Sequence, residues 1–232
     1  NFEDKHWHFI LAQPLPAGAE PMLERAKAKL FAVREQRVRP GRDDKVLASW
    51  NALMVKGLAR AARVFERADW ILLAQQAVDF MRAQMWRDGR LLASYKDGQA
   101  KLNAYLDDYA FLLDALLELL QAEFRPQDLA FAQELADRLL SQFEDPAQGG
   151  FFFTSHDHEA LIYRPKPGLD QATPSGNGIA AHALQRLGHV LGEPRYLAAA
   201  ERTLQLFYPQ LAQQPAGYMS LLSALDEYLT PP

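Results

Sequence analysis

From residue 20 onward, apolar positions recur along the chain at steps of three and four. Val46, Trp50, Leu53, Met54, Leu58, Ala61 and Phe65 line one helix face, and Trp70, Leu73, Ala77, Phe80 and Met81 line a second. Tyr105, Tyr109, Leu112, Leu116, Leu119 and Leu120 mark a third helix, apolar over much of its circumference, and Leu129, Ala132, Leu135, Ala136, Leu139 and Phe143 mark a fourth. Further helices are predicted at about 20–36, 176–192, 194–212 and 216–229, eight in all. Pro126 and Pro194 sit where a first helical turn has no use for an N–H. Ser175 is placed to cap a helix start and Gly192 to close a helix end in the left-handed conformation.

A richly apolar helix, a short link and a more amphipathic helix are followed each time by an extended piece. Those pieces are RLLASYKDG (90–98) and GGFFFTSHDHEALIYR (149–164). In the second, Phe151–Phe153 and Leu161–Tyr163 flank a polar turn, which predicts a small β-hairpin. Trp50, Tyr109 and Asn177 mark equivalent places near helix starts, 59 and 68 residues apart. That period is too long for the common 34-residue helical repeats. It fits helical hairpins around an axis, inner helices more apolar than outer ones: an all-α, α/α toroid. A closed ring of six hairpins needs twelve helices, so the chain is expected to be a single toroid domain over 1–232 that is incomplete. A right-handed solenoid is the alternative.

Composition narrows the chemistry little. The 232 residues contain no cysteine, which excludes disulfides, thiolate metal sites and a cysteine nucleophile, and fits the reducing cytoplasm. A net charge of -4 gives no global field for nucleic acid. No apolar run reaches the length of a membrane span, and NFEDKHWHF lacks a signal-peptide pattern. His6 and His8 carry no argument. His156 and His158 share a turn without a third ligand, so neither a metal nor another cofactor is implied.

Three polar clusters fall where inner helices begin. Arg42, Asp43, Asp44 and Lys45 precede Ser49, Trp50 and Asn51; Asp107 and Asp108 lie between Tyr105 and Tyr109; Arg164, Lys166 and Asp170 precede Pro174, Ser175, Gly176 and Asn177. If the inner helices run parallel, these clusters surround one mouth. Asp43, Asp44, Asp107 and Asp108 would then supply acid/base groups, since paired carboxylates in different environments divide acid and base roles. Trp50 and Tyr109 would stack on a sugar face, Asn51, Ser175 and Asn177 would orient hydroxyls, and Lys45, Arg164 and Lys166 would steer an anionic group. Each cluster also has a purely structural explanation. Asp and Ser are the preferred side chains for capping helix starts, large aromatics are mostly core, and the Pro-Ser-Gly-Asn string suits a tight turn into a helix as well as it suits a hydroxyl site. His182, two turns beyond the third cluster, reads as a hydrogen-bonded core histidine.

RPGRDDKVLASWNALM (39–54), YLDDYAFLLDALL (105–117), GGFFFT (149–154) and ATPSGNGIAA (172–181) together resemble the C-terminal half of the thioredoxin-domain-containing, spermatogenesis-associated protein family, and NFEDK resembles the segment that opens that half. Ala52, Gln171 and Gly178 depart from the family pattern without removing an ionisable group. The resemblance implies a toroid of the six-hairpin glycosidase kind, distantly similar to N-acylglucosamine 2-epimerase. It also implies that an N-terminal thioredoxin-like domain and the first toroid helices lie outside this fragment. The expected function is therefore carbohydrate binding or carbohydrate chemistry, with a sugar or sugar derivative as ligand. The rival is a non-catalytic scaffold that docks clients for the thioredoxin-like domain. A third possibility is an inert solenoid whose clusters only cap helices. An open ring leaves apolar faces uncovered, so self-association is expected.

Overall fold

The computed structural model describes residues 10–159 and 161–231, in two units that divide between Asp43 and Asp44. NFEDK, His6 and His8 lie outside the described residues. The first unit contains α1 (Glu20–Arg34), which starts with Pro21 in its first turn and buries none of its side chains. Met22, Leu30, Phe31 and Val33 are exposed along it.

The second unit contains everything from Asp44 on. After the two-residue β1 (Val46–Leu47) come α2 (Ala48–Phe65) and α3 (Ala68–Phe80), the latter running into a single π-helical turn, Met81–Met85. Strands β2 (Trp86–Arg87), β3 (Arg90–Lys96) and β4 (Gln99–Asn103) follow. β3 is the hub of this small sheet and pairs antiparallel with β1, β2 and β4. Both of its tight turns are Asp-Gly pairs, Asp88-Gly89 and Asp97-Gly98, with all four residues at positive φ. That is the two-residue geometry whose twist matches the flanking strands. Then come α4 (Leu106–Ala122), α5 (Pro126–Gln142), α6 (Gly176–Leu191), α7 (Pro194–Gln213), a 3-10 turn at Pro215–Gly217, and α8 (Met219–Leu229). Eight α-helices thus lie among the described residues, and the expected caps at Ser175 and Gly192 and the first-turn prolines at Pro126 and Pro194 are present.

Helices α2, α4, α6 and α8 pack side by side in that order, and α3, α5 and α7 lie outside them, each against the inner helix that precedes it. α4 is buried around nearly its whole circumference from Leu106 to Leu119, as an inner helix between two neighbours must be. The outer helices are tied by polar contacts. Arg82 in the π-helical turn after α3 and Arg125 at the start of α5 both reach the fully buried Asp128, and the Tyr196 hydroxyl of α7 donates to Asp137 of α5 at 2.6 Å.

The inner helices run parallel, as cross-contacts at successive heights show. Between α2 and α4 the Ser49 amide meets Asp108, Lys56 meets Asp114, and Arg63 meets Glu118 and Gln121. Between α4 and α6 Asp107 abuts Gly176, and Arg186 meets Glu118. Between α6 and α8 Ser175 meets Ser220 and His182 meets Glu227. All four helices therefore begin at one rim of an α/α-toroid arc.

Among the described residues the expected hairpin at 149–164 is not formed, and a single bridge, Glu144 to Phe151, occurs there. The reason is a competing partner: the Asn177 side-chain amide takes both the N–H and the C=O of Phe151, and Phe153 donates to Pro165 instead of to a partner strand. Ile162 and Tyr163 are left exposed.

The rim depends on glycines. A Cβ on Gly178 would stand 2.1 Å from the Ser220 hydroxyl and 2.9 Å from the Leu221 amide nitrogen, whereas one on Gly57 would meet nothing. Gly178→Ala is expected to lower the unfolding free energy by about 1–3 kcal/mol through overpacking. Gly57→Ala, in an open helix interior, should raise it by up to about 1 kcal/mol. Urea titrations of the two variants measure both signs.

Candidate functional site

Two carboxylates organise the rim. Asp108 is buried in the first turn of α4. One of its oxygens accepts the Tyr105 N–H, the other accepts the Ser49 N–H of α2, each at 2.9 Å, so a single side chain caps two helix starts. Asp170, in the loop before α6, repeats the device. It accepts the Ser175 N–H at 2.8 Å with one oxygen and the Ser220 N–H at 2.8 Å with the other, and the Ser220 hydroxyl also donates to it. These amides are among those a helix start leaves without an intrahelical partner, and a carboxylate there also meets the positive end of the helix dipole.

The ATPSGNGIAA string resolves into structural duties. The Ser175 hydroxyl caps α6 by accepting the Gly178 N–H at 3.0 Å. Gly176 lets α4 approach, because a Cβ there would lie 2.2 Å from Asp107 Oδ1 and 2.8 Å from Leu106. Asn177 is fully buried and its amide is spent on Phe151 and on the Pro167 carbonyl.

The other sequence-predicted residues separate. Asp43, in the first unit, and Lys45 are exposed; Asp44 pairs with Lys96 of β3 at 2.6 Å. Trp50 is 66% exposed on α2, and Asn51 donates to the Leu47 carbonyl at the start of that helix. Tyr109 is core: its hydroxyl accepts the Leu91 N–H, and its ring packs against Trp86 and Phe143. Arg164 donates to the Thr154 carbonyl and covers the Phe152 ring; Lys166 donates to Asp145 at 2.8 Å and to the Gly149 carbonyl at 3.0 Å.

Asp107 stands apart. It is half-buried, and its Oδ1 lacks a well-formed hydrogen bond. Burial pushes its carboxyl up to about 6, the neighbouring Asp108 charge adds to this, and the Gly176 amide opposes it.

Below the rim, the inner helices carry polar residues at seven-residue spacing: Ser49, Lys56 and Arg63 on α2; Asp107, Asp114 and Gln121 on α4; Ser175 and His182 on α6; Ser220 and Glu227 on α8. Seven residues are nearly two helical turns, so each set shares a face. The middle layer is continuous: Lys56 meets Asp114 at 2.6 Å, Asp114 lies 3.8 Å from His182, and His182 is 2.7 Å from Glu227. Burial raises the Asp114 pKa, but His182 and Lys56 outweigh it and hold the carboxyl below its ordinary value. In the lower layer Arg63 and Arg186 share Glu118.

A cavity of about 530 Å³ opens on this face. It is lined by Lys56 and Arg60 of α2, Ile179 and His182 of α6, Met219, Ser220 and Ser223 of α8, and the loop Asp170–Pro174. None of the acid/base or ligand-binding residues expected from the sequence lines it. The heptad spacing of charges inside otherwise apolar helices was the available signal for Lys56, Asp114, His182 and Glu227.

No family model matches the chain. Over 216 residues, 88% of its length, the chain is 30% identical to human spermatogenesis-associated protein 20, and it spans 28% of that relative's length. Among solved structures it is similar to the cellobiose 2-epimerase of Spirochaeta thermophila, with 19% identity and a TM-score of 0.58 over 83% of this chain and 55% of that one. It is also similar to an inactive variant of the α-1,6-mannanase of a Salegentibacter species, in complex with α-1,6-mannotriose, in which two consecutive aspartates are replaced by asparagine; identity is 19% and TM-score 0.57 over 82% of this chain and 54% of that one. These likenesses show the α/α-toroid fold.

The Asp107 shift sets a pH dependence. A carboxyl raised by burial holds its proton more tightly folded than unfolded, so stability falls as pH rises from about 4 towards 6 and is level above that. Asp107→Asn is expected to flatten this slope and to add up to about 3 kcal/mol at pH 7. Guanidinium titrations at several pH values test it, and a slope unchanged in the variant contradicts it.

Proposed function

We propose that this chain is the carbohydrate-binding, carbohydrate-active part of an α/α toroid, taking its ligand at the rim where the inner helices begin. The observation that carries the reading is the cavity beside that rim, where hydroxyl, imidazole, ammonium and guanidinium groups converge from three helices. A polyhydroxylated ligand needs such a mixture of donors and acceptors, with an apolar contact such as Met219 or Ile179 against its C–H face. The toroid neighbours support the same class: one is a cellobiose 2-epimerase, another a mannanase holding a mannotriose.

In this reading Asp107 is the general acid. Asp107 lies at the rim, outside the cavity lining, so the reading requires the scissile C–O bond to reach the rim. With its carboxyl at about 6 it keeps a proton under mildly acidic conditions and would give it to the sugar oxygen as that bond breaks and water adds to the carbon. Asp108 is occupied by two amides and holds the rim in place. Asp107–Asp108 is also a consecutive pair at an inner-helix start, and replacement of a consecutive aspartate pair accompanies inactivity in the mannanase neighbour. Asp44, ahead of α2, is exposed and paired with Lys96, and takes no part in this step.

A second reading, a client-docking module for the thioredoxin-like domain that the family resemblance implies, draws on the exposed apolar residues Trp50, Met54, Val64 and Phe65 of α2. Titration with that domain, followed by Trp50 fluorescence, distinguishes it.

Calorimetry against glucose, mannose, cellobiose and α-1,6-mannotriose tests the first reading, with product analysis by chromatography. Binding to at least one sugar is expected. Turnover in Asp107→Asn should fall about a hundredfold or more, with binding retained. Absence of binding to any member of the panel overturns the carbohydrate reading.

A further inference from the structure

The charges around the cavity do not balance. Lys56 is spent on Asp114 at 2.6 Å, and His182 sits between Asp114 and Glu227. Asp170 has both oxygens committed to helix-start amides. One layer lower, Arg63 and Arg186 are matched by Glu118. Arg60 is different. It lies one turn beyond Lys56 on α2, lines the cavity, is exposed, and makes no ion pair or hydrogen bond among the described residues. Of the charged groups that line the cavity, Arg60 alone has no ion pair and has all five donors unspent among the described residues.

This changes which cations meet a ligand. Arg164 and Lys166, the steering residues expected from the sequence, are engaged by the Thr154 carbonyl and by Asp145, and neither lines the cavity. An unspent guanidinium beside hydroxyl donors is matched by a ligand that carries hydroxyls and one planar or tetrahedral anion, which Arg can hold through two parallel N–H donors. Thr173 and Ser223, on the loop and α8 walls of the same cavity, are placed to meet the sugar hydroxyls, and Ile179 and Met219 its apolar face.

We infer that the cavity selects an acidic sugar, one bearing a carboxylate or a phosphate, and that Arg60 is the residue that recognises the anion. The inference rests on the carbohydrate reading above and adds the ligand's charge to it. Calorimetric titration of the chain with glucose, glucuronate and glucose 6-phosphate compares one ring without an anion, with a carboxylate and with a phosphate; inorganic phosphate and acetate serve as anions without a sugar. At least one acidic sugar is expected to bind roughly tenfold tighter than glucose, and tighter than the bare anions. That preference should shrink as salt is raised, because Arg60 is exposed. In Arg60→Gln the acidic sugar should bind no better than glucose does. Arg60 has no partner among the described residues to lose, so the variant is expected to melt at the wild-type temperature. Glucose binding as tightly as both acidic sugars overturns the inference while leaving the carbohydrate reading intact, and so does a preference that survives in Arg60→Gln. No binding by any of the sugars overturns both.

Discussion

One carboxylate bridging two helix starts is the interaction on which this architecture turns. Parallel inner helices bring their amino-terminal ends together at one rim, and there the unpaired amides and the positive ends of the dipoles accumulate. A hydrophobic core cannot satisfy either. Asp108 does so for α2 and α4, and Asp170 does so for α6 and α8, each with one oxygen per helix. The same contacts fix the relative height of neighbouring helices. The heptad-spaced side chains below then fall into layers, and Lys56, Asp114, His182 and Glu227 come to one level.

The glycines complete this arrangement from the other side. Gly176 and Gly178 face opposite neighbours, Asp107 with Leu106 on α4 and Ser220 with Leu221 on α8. Any side chain at either position would push α6 away from one partner and pull the capping oxygens off their amides. Close approach and capping thus depend on each other, and an α6 that begins Ser-Gly-Asn-Gly serves both.

Much of this was legible in the sequence. Apolar periodicity found the helices, because inner and outer helices alike bury a continuous face, and the repeat near 60 residues gave the hairpin toroid. The extended strand at 90–98 was visible too, but its partner β4 was not: QAKLN offers little alternation, and its pairing is fixed by the Asp-Gly turn before it. The hairpin at 149–164 failed because periodicity cannot see a side chain such as Asn177 taking the place of a strand. At the rim, residue type located the clusters but could not say which members were occupied. Asp107 and Asp108 are adjacent in sequence and both carboxyls are raised by burial, yet Asp108 caps two helices while Asp107 keeps one oxygen without a well-formed hydrogen bond. Arg60 drew no notice because its distinction is the lack of a partner, which only three dimensions reveal.

The loop from Asp170 to Pro174 joins these two levels. Its first residue clamps α6 to α8, while the next four form a wall of the cavity. Asp170 is thus both framework and lining, and the next four residues continue the wall. The side chains at 171–174 make no part of the clamp's hydrogen bonds, so changing them alters the cavity wall at positions where the helix register is not directly held.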